Sequence, residues 1–301
     1  MEDPERPSRR LPAQMIGWML AASALTCLGQ PAVNPSRWQV SYPPAANGKA
    51  AESTAVPMDG APELVAVVTP GANASFPSVH KDKQIVPARI IGYDPVSSLS
   101  FLNIGGGQVQ PAKWRDNADN IIGTPLQAQT TDGAIKCKAD GWIKQVGAKI
   151  LPLALLQVTF NQAVPPAGTP LLDPQGRIVA IVFQASAKPK VGYAIPAEAV
   201  HRVYRDLANG GKLVRGYLGL SLRAENKSPT IVKVIPNSPA AAAGIHPGDV
   251  LLKVGTRQIS DYPDAVNAFF FLIPGQPVQV KLRRGADKHD LELIPIRPQI
   301  R

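Results

Sequence analysis

The chain has little of what builds metal and redox centres. Of its 301 residues, two are cysteine (Cys27 and Cys137) and four are histidine. Two cysteines cannot make a disulfide framework or a Cys-rich zinc site. His80, His201, His246 and His289 are scattered without ligand spacing. No glycine-rich phosphate cradle is present: Gly105-Gly106-Gly107 is followed by nothing that reads as a phosphate-binding helix. No cofactor and no metal is therefore implied. Aromatics make up 6% of the residues, and the basic residues form no runs interleaved with them. That argues against a nucleic-acid partner.

Proline is the residue in excess, 31 of 301, roughly double the average usage of ~5%. Proline breaks helix interiors and central strands, so short strands joined by turns are expected, not a helical bundle. An apolar fraction of 45% excludes a mostly disordered chain. The length suits two domains. A balance of 32 Lys+Arg against 22 Asp+Glu gives a net charge of +10, which allows loose attraction to anionic membrane surfaces or acidic polypeptides.

Arg6, Arg9 and Arg10 precede an apolar run from Met15 to Leu28, with small residues near Gly29 to Ala32. The run is short for a membrane span and suits the apolar core of a signal peptide over residues 1–29. Export to the periplasm or cell envelope is the expectation, with a lipid anchor on Cys27 or a retained N-terminal anchor as the variants. Residues 30–61, rich in Pro, Ala, Ser, Asn and Gly, read as a linker.

From about residue 62, turn residues punctuate short apolar runs: Leu64–Val68, Ile85–Ile91, Leu99–Ile104, Gly133–Cys137, Leu153–Val158 and Ile178–Phe183. This is the pattern of a β-barrel or sandwich. Ala199, Val200, Val203, Tyr204 and Leu207 then fall at helical spacing, ended by Asn209-Gly210-Gly211. Those glycines read as a hinge. Beyond it come strands near 217–222, 230–235 and 249–254. Ser238-Pro239 begins a short helix and Asp261 caps a longer one. A hairpin closes around Arg284-Gly285-Ala286-Asp287.

Three stretches of this second unit carry a resemblance: Tyr217-Leu218-Gly219-Leu220, Ile235-Pro236-Asn237-Ser238-Pro239-Ala240, and Ala243-Gly244-Ile245 followed by Pro247-Gly248-Asp249-Val250-Leu251. They are very similar to the PDZ domains of bacterial HtrA/Deg proteins, over residues 212–298. The resemblance implies an α+β, partly open barrel with two helices that binds polypeptide C-termini or extended segments by strand addition. It implies that Leu218, Gly219 and Leu220 offer N–H groups to the peptide carboxylate, with Tyr217 beside them and Arg215 adding charge. Ser221 and Leu222 would continue the strand that pairs with the peptide. Val266 and Phe270, at i and i+4, would line the pocket for the last side chain, or else belong to the core.

Upstream, Ala167-Gly168-Thr169-Pro170-Leu171-Leu172-Asp173 through Ile181, together with Gly192-Tyr193-Ala194-Ile195-Pro196, resembles the nucleophile region of HtrA-type serine proteases. Pro87 through Leu99 resembles the segment carrying the triad aspartate. The implied fold class is mostly β: a degenerate trypsin-like double β-barrel over residues 62–207, followed by the PDZ domain. It departs from the family at the chemistry. Ala167 stands at the serine position, and Pro165, without an N–H, stands at an oxyanion-hole donor. Ser98 stands at the aspartate position and Ala72 at the histidine position. His80 reads as a histidine of a surface turn.

The resulting expectation is an exported HtrA-like pseudoprotease without enzymatic activity, acting through its PDZ domain as an adaptor or regulator in envelope protein quality control. Homo-oligomerisation stays open. The rivals are a serine endopeptidase with residual or rearranged activity and a structural envelope protein whose PDZ domain packs on itself.

Overall fold

The computed structural model describes residues 38–82, 84–105, 109–115, 121–143, 155–211, 213–223 and 228–298. The expected signal segment, residues 1–29, lies outside the described residues.

Period-2 alternation begins earlier than the composition suggests. In β1 (Trp38–Tyr42), Trp38, Val40 and Tyr42 are buried, while Gln39 and Ser41 face the other way. β1 pairs antiparallel with β2 (Ala51–Pro57), and β2 with β3 (Glu63–Val67). Residues 38–57, expected as linker, are thus two strands of the first sheet. Their prolines sit between the strands or at the end of β2, where no ladder hydrogen bond is lost. The sheet is completed by β4 (Ser78–Lys81), β5 (Gln84–Val86), β6 (Ala88–Asp94) and β7 (Leu99–Ile104), in the order β5-β4-β1-β2-β3-β7-β6. His80, expected in a turn, lies in β4 opposite Gln39.

β8 (Pro125–Thr130), β9 (Gly133–Trp142), β10 (Leu156–Phe160), β11 (Pro170–Leu172), β12 (Ile178–Ala185) and β13 (Val191–Pro196) close into a barrel of order β10-β13-β12-β11-β8-β9. Leu126, Ala128, Ala139, Leu156, Val158, Phe160, Leu171 and Val182 fill its interior. A second cluster, with Val65, Val67, Leu99 and Phe101 from the first sheet and Ile181 and Ile195 from the barrel, joins the two halves.

Helix α1 (Ala197–Gly210) packs Ala199, Val200, Val203 and Leu207 into that joint cluster. Gly211 ends it in the left-handed region, φ 71°, with its N–H on the Leu207 carbonyl; only glycine does this without strain.

The last unit has two linked sheets. β14 (Leu220–Leu222) pairs with β15 (Ile231–Val234). β16 (Val250–Val254), β17 (Arg257–Gln258), β18 (Val278–Arg284) and β19 (Asp287–Leu293) run in the order β17-β16-β18-β19. The Ser238 side chain accepts the Ala241 N–H to cap α2 (Pro239–Ala242), and Asp261 accepts the Asp264 N–H to cap α3 (Tyr262–Phe270).

Candidate functional site

The loop before β14 is held by its carbonyls. The Tyr217 carbonyl accepts the Ile296 N–H at 3.0 Å, Leu218 accepts Ala240 at 2.9 Å, and Gly219 accepts Ile235 at 2.7 Å. In a planar trans peptide the following N–H points opposite to the carbonyl. The N–H groups of Leu218, Gly219 and Leu220 are therefore turned away from those three partners. Three successive donors turned away from those partners are what a carboxylate needs. Among the described residues β14 pairs on one side only, with β15, which leaves its other edge for strand addition.

Gly219 is required for a reason other than close ligand approach. Its φ is +81°, and a Cβ there would stand 2.1 Å from the Ser238 Cβ. Arg215 is exposed at the mouth of the loop, Ser221 is exposed, and Tyr217 and Leu222 are half-buried.

On α3, Val266 is half-buried. Phe270 takes the second of its two expected placements, the core. It is 3% exposed and packs in the cluster with Trp114, Phe183 and the apolar face of α1. Phe269 packs partly buried against the core of the last unit, as Leu220 and Leu222 also do. Three consecutive phenylalanines point in directions 100° apart, and the sequence alone did not say which one faced the groove.

The expected hinge is tied down. The Arg257 guanidinium pairs with Glu198 of α1 and lies over the rings of Trp142, at 4.5 Å, and Phe271, at 4.2 Å. Arg202, on the buried side of α1, donates to the carbonyls of Val214 and Leu272. A charged residue beside an apolar helical stripe was the available signal for Arg202.

The 165–170 loop is strapped to β2. The Ala167 carbonyl accepts the Thr54 N–H at 2.9 Å and the Ser53 hydroxyl at 3.2 Å, and Gly168 donates to Val182 at 2.8 Å. Gly168 has φ +79°, and a Cβ would lie 1.9 Å from the Thr54 carbonyl oxygen. Pro165, Pro166, Thr54, Thr130–Ile135 and Thr169 line a cleft of about 390 Å³ beside the loop. Ser98, at φ 58°, gives its carbonyl to the Val68 N–H at 2.7 Å. Ser98 thus sits against Val68, just past β3 and four residues before Ala72. Ala72 packs half-buried on the first sheet's core. Asp94 accepts the Ser97 N–H and belongs to the β6–β7 turn. Burial comes first and the Asp94 charge second in raising the Tyr93 hydroxyl pKa, against a lowering hydrogen bond with Ser98.

The PDZ domain family matches residues 216–294. HhoB of Synechocystis sp., named as a serine protease, is 25% identical over 253 residues, covering 72% of this chain and 59% of that protein. A DegP-like periplasmic serine endoprotease of Chlamydia muridarum is 28% identical over 232 residues, covering 67% and 45%. The chain spans about half the length of the curated relatives it matches. Among solved structures, the HtrA-type protease AlgW with a tripeptide aligns at TM-score 0.61 and 23% identity, covering 89% of this chain and 95% of that one. The serine endoprotease from Yersinia pestis aligns at 0.53 and 20%, covering 88% and 95%. These likenesses show the trypsin-like fold followed by a PDZ domain. They also correct the expectation of a protein that is not an enzyme: the relatives and the structural neighbours are named proteases, and nothing in them marks an inactive member. The chain carries a PDZ domain and is homologous to the HtrA/DegP serine proteases.

Proposed function

We propose that this is an exported HtrA-type protein of the cell envelope whose PDZ domain captures free C-termini or extended segments of partner polypeptides. The periplasmic naming of its relatives supports the location. The single observation that carries the reading is the loop at 217–219: its carbonyls are held by the fold, which turns the next three N–H groups away from those partners, next to the β14 edge that β15 does not cover. A peptide adding to β14 extends the sheet. Its carboxylate meets the N–H groups of Leu218, Gly219 and Leu220. Its last side chain lies between Leu220 on the strand and Val266 with Phe269 on α3.

The test is a titration of the full chain against a C-terminal peptide library, each peptide made both as free acid and as amide. Selective binding of free acids supports the reading. Equal affinity for acid and amide, or no binding, overturns it.

A second reading, serine endopeptidase activity, is favoured by the names of the relatives. Residue 167 has no hydroxyl, so the acylated group is then another side chain. A fluorophosphonate probe followed by peptide mapping locates it, and the absence of an adduct sinks this reading.

A further inference from the structure

The two walls of the proposed groove belong to segments far apart in sequence. One is the loop at 218–220. The other is α3, which runs out through Phe271 to Leu272. One buried side chain from outside the PDZ domain bonds the backbone next to each, at Val214 ahead of the loop and at Leu272 just past α3. Arg202 lies on α1, the helix that follows the barrel, and is 3% exposed. Its guanidinium donates to the carbonyl of Val214, four residues before Leu218, and to the carbonyl of Leu272 at 3.2 Å. It also pairs with Asp206, one turn along α1. The second oxygen of Asp206 accepts the Val214 N–H at 2.7 Å, so Val214 is gripped through both its N–H and its carbonyl. The Leu272 carbonyl takes a further hydrogen bond from Gly216 at 2.9 Å. Gly216 has no room for a side chain: a Cβ would meet the Leu272 and Pro295 Cβ atoms at 2.8 Å.

We propose that Arg202 is a positioning residue for the peptide groove, fixing the carboxylate loop relative to α3 from the protease-like half of the chain. This rests on the peptide-binding reading above. The chemistry favours arginine. The planar guanidinium gives both carbonyls hydrogen bonds from Nη2 while Nη1 faces the Asp206 carboxylate, whereas a lysine ammonium is a point donor on a flexible stem. The terminal carboxylate and last side chain of a peptide are the parts that touch both walls. Upstream residues touch β14. Loosening the two walls therefore costs affinity at the peptide terminus and spares the strand contacts.

The experiment uses the full chain and a peptide that the wild type binds, as free acid and as amide. The readout is the ratio of the two affinities, which a general loss of stability leaves unchanged. In Arg202→Met the ratio falls about tenfold, the equivalent of one good hydrogen-bonding contact. In Arg202→Lys, which keeps the pair with Asp206, it falls partway. In Glu198→Gln, which weakens the domain contact through its pair with Arg257 and lies on neither wall, the ratio stays at the wild-type value. A folded Arg202→Met protein with the wild-type ratio overturns the proposal while the groove reading stands. If Arg202→Met does not fold, a wild-type ratio in Arg202→Lys overturns it equally. A wild type that does not distinguish acid from amide brings down the groove reading instead, and this inference with it.

Discussion

The buried carboxylate of Asp249 accepts two hydrogen bonds from one guanidinium, Arg284 Nε at 2.8 Å and Nη2 at 2.9 Å, across from the start of β16 to the end of β18. The His246 N–H adds a third at 2.9 Å. The same Arg284 reaches the Gly244 carbonyl at 2.7 Å. Asp249 thus locks the turn after α2 to the hairpin β18–β19, which explains a Gly-Asp pair at the head of a strand.

The hydrogen bonds from Arg284, ahead of the opposing effect of burial, hold the Asp249 carboxyl below its ordinary value of 3.8. An acid whose folded pKa is depressed adds stability that is complete above the unfolded pKa and is lost as pH falls through the folded one. The expected outcome is a PDZ unit whose unfolding midpoint holds from neutral pH down to the ordinary aspartate range and then drops. Asp249→Asn should lower the midpoint at neutral pH and flatten the acid limb. Urea midpoints of wild type and variant between acid and neutral pH check this, and an unchanged acid limb in the variant would assign it to other carboxylates.

Gly219→Ala should destabilise the PDZ unit by about 2–4 kcal/mol, combining the left-handed backbone penalty with overpacking against Ser238. The Ser238 side chain already serves α2 as its cap, so it cannot move aside freely. Chemical denaturation gives the magnitude. Because the clash is with the fold, the variant loses stability together with peptide binding, and a change at Gly219 cannot separate the two. A fully stable Gly219→Ala protein would show that the Ser238 contact relaxes.

Much of this was legible in the sequence. Ser238, Pro239, Asp261 and the turn at Gly285 announce their elements through local chemistry, and the apolar stripe of α1 announces its helix. The strands β1 and β2 were obscured because Pro43-Pro44-Ala45-Ala46-Asn47-Gly48 dominates the composition around them, although Trp38, Val40 and Tyr42 alternate as a half-buried strand should. The choice between pocket and core on α3 stayed open for a different reason. Phe270 is buried by the barrel and α1, and the contact between domains leaves no mark on the helical period of α3 itself. Arg202 was missed on the same ground, since besides Asp206 one turn along it bonds backbone carbonyls 12 and 70 residues away.

Cys137 is buried in the closed barrel, 8% exposed, and burial is the main cause that pushes its thiol pKa up to about 12 from 9.0. A shift of that size leaves about a thousandfold less thiolate at neutral pH than in the unfolded chain. Iodoacetamide should therefore label Cys137 slowly in the native protein and at the ordinary rate in denaturant. Its labelling rate then follows opening of the β8–β13 barrel. Fast labelling of the native protein would mean that β9 frays from β8 and β10.

The contact of Arg257 with Glu198, Trp142 and Phe271 predicts how the two halves unfold. An ion pair whose side chains are 14% and 17% exposed, stacked on two rings, couples the PDZ unit to α1 and to the end of β9. Arg257→Ala leaves Glu198 without this partner and uncovers both rings, at a cost of about 1–3 kcal/mol to the coupling. Phe270 and Arg202 still join the halves, so the variant should stay folded. Calorimetry should then resolve one wild-type transition into two in the variant, with the PDZ unit and the barrels melting separately. Glu198→Gln, which keeps the shape and the ring contacts but not the charge, should separate them less. A single unshifted transition in Arg257→Ala would place the coupling on Phe270 and the Arg202 hydrogen bonds alone.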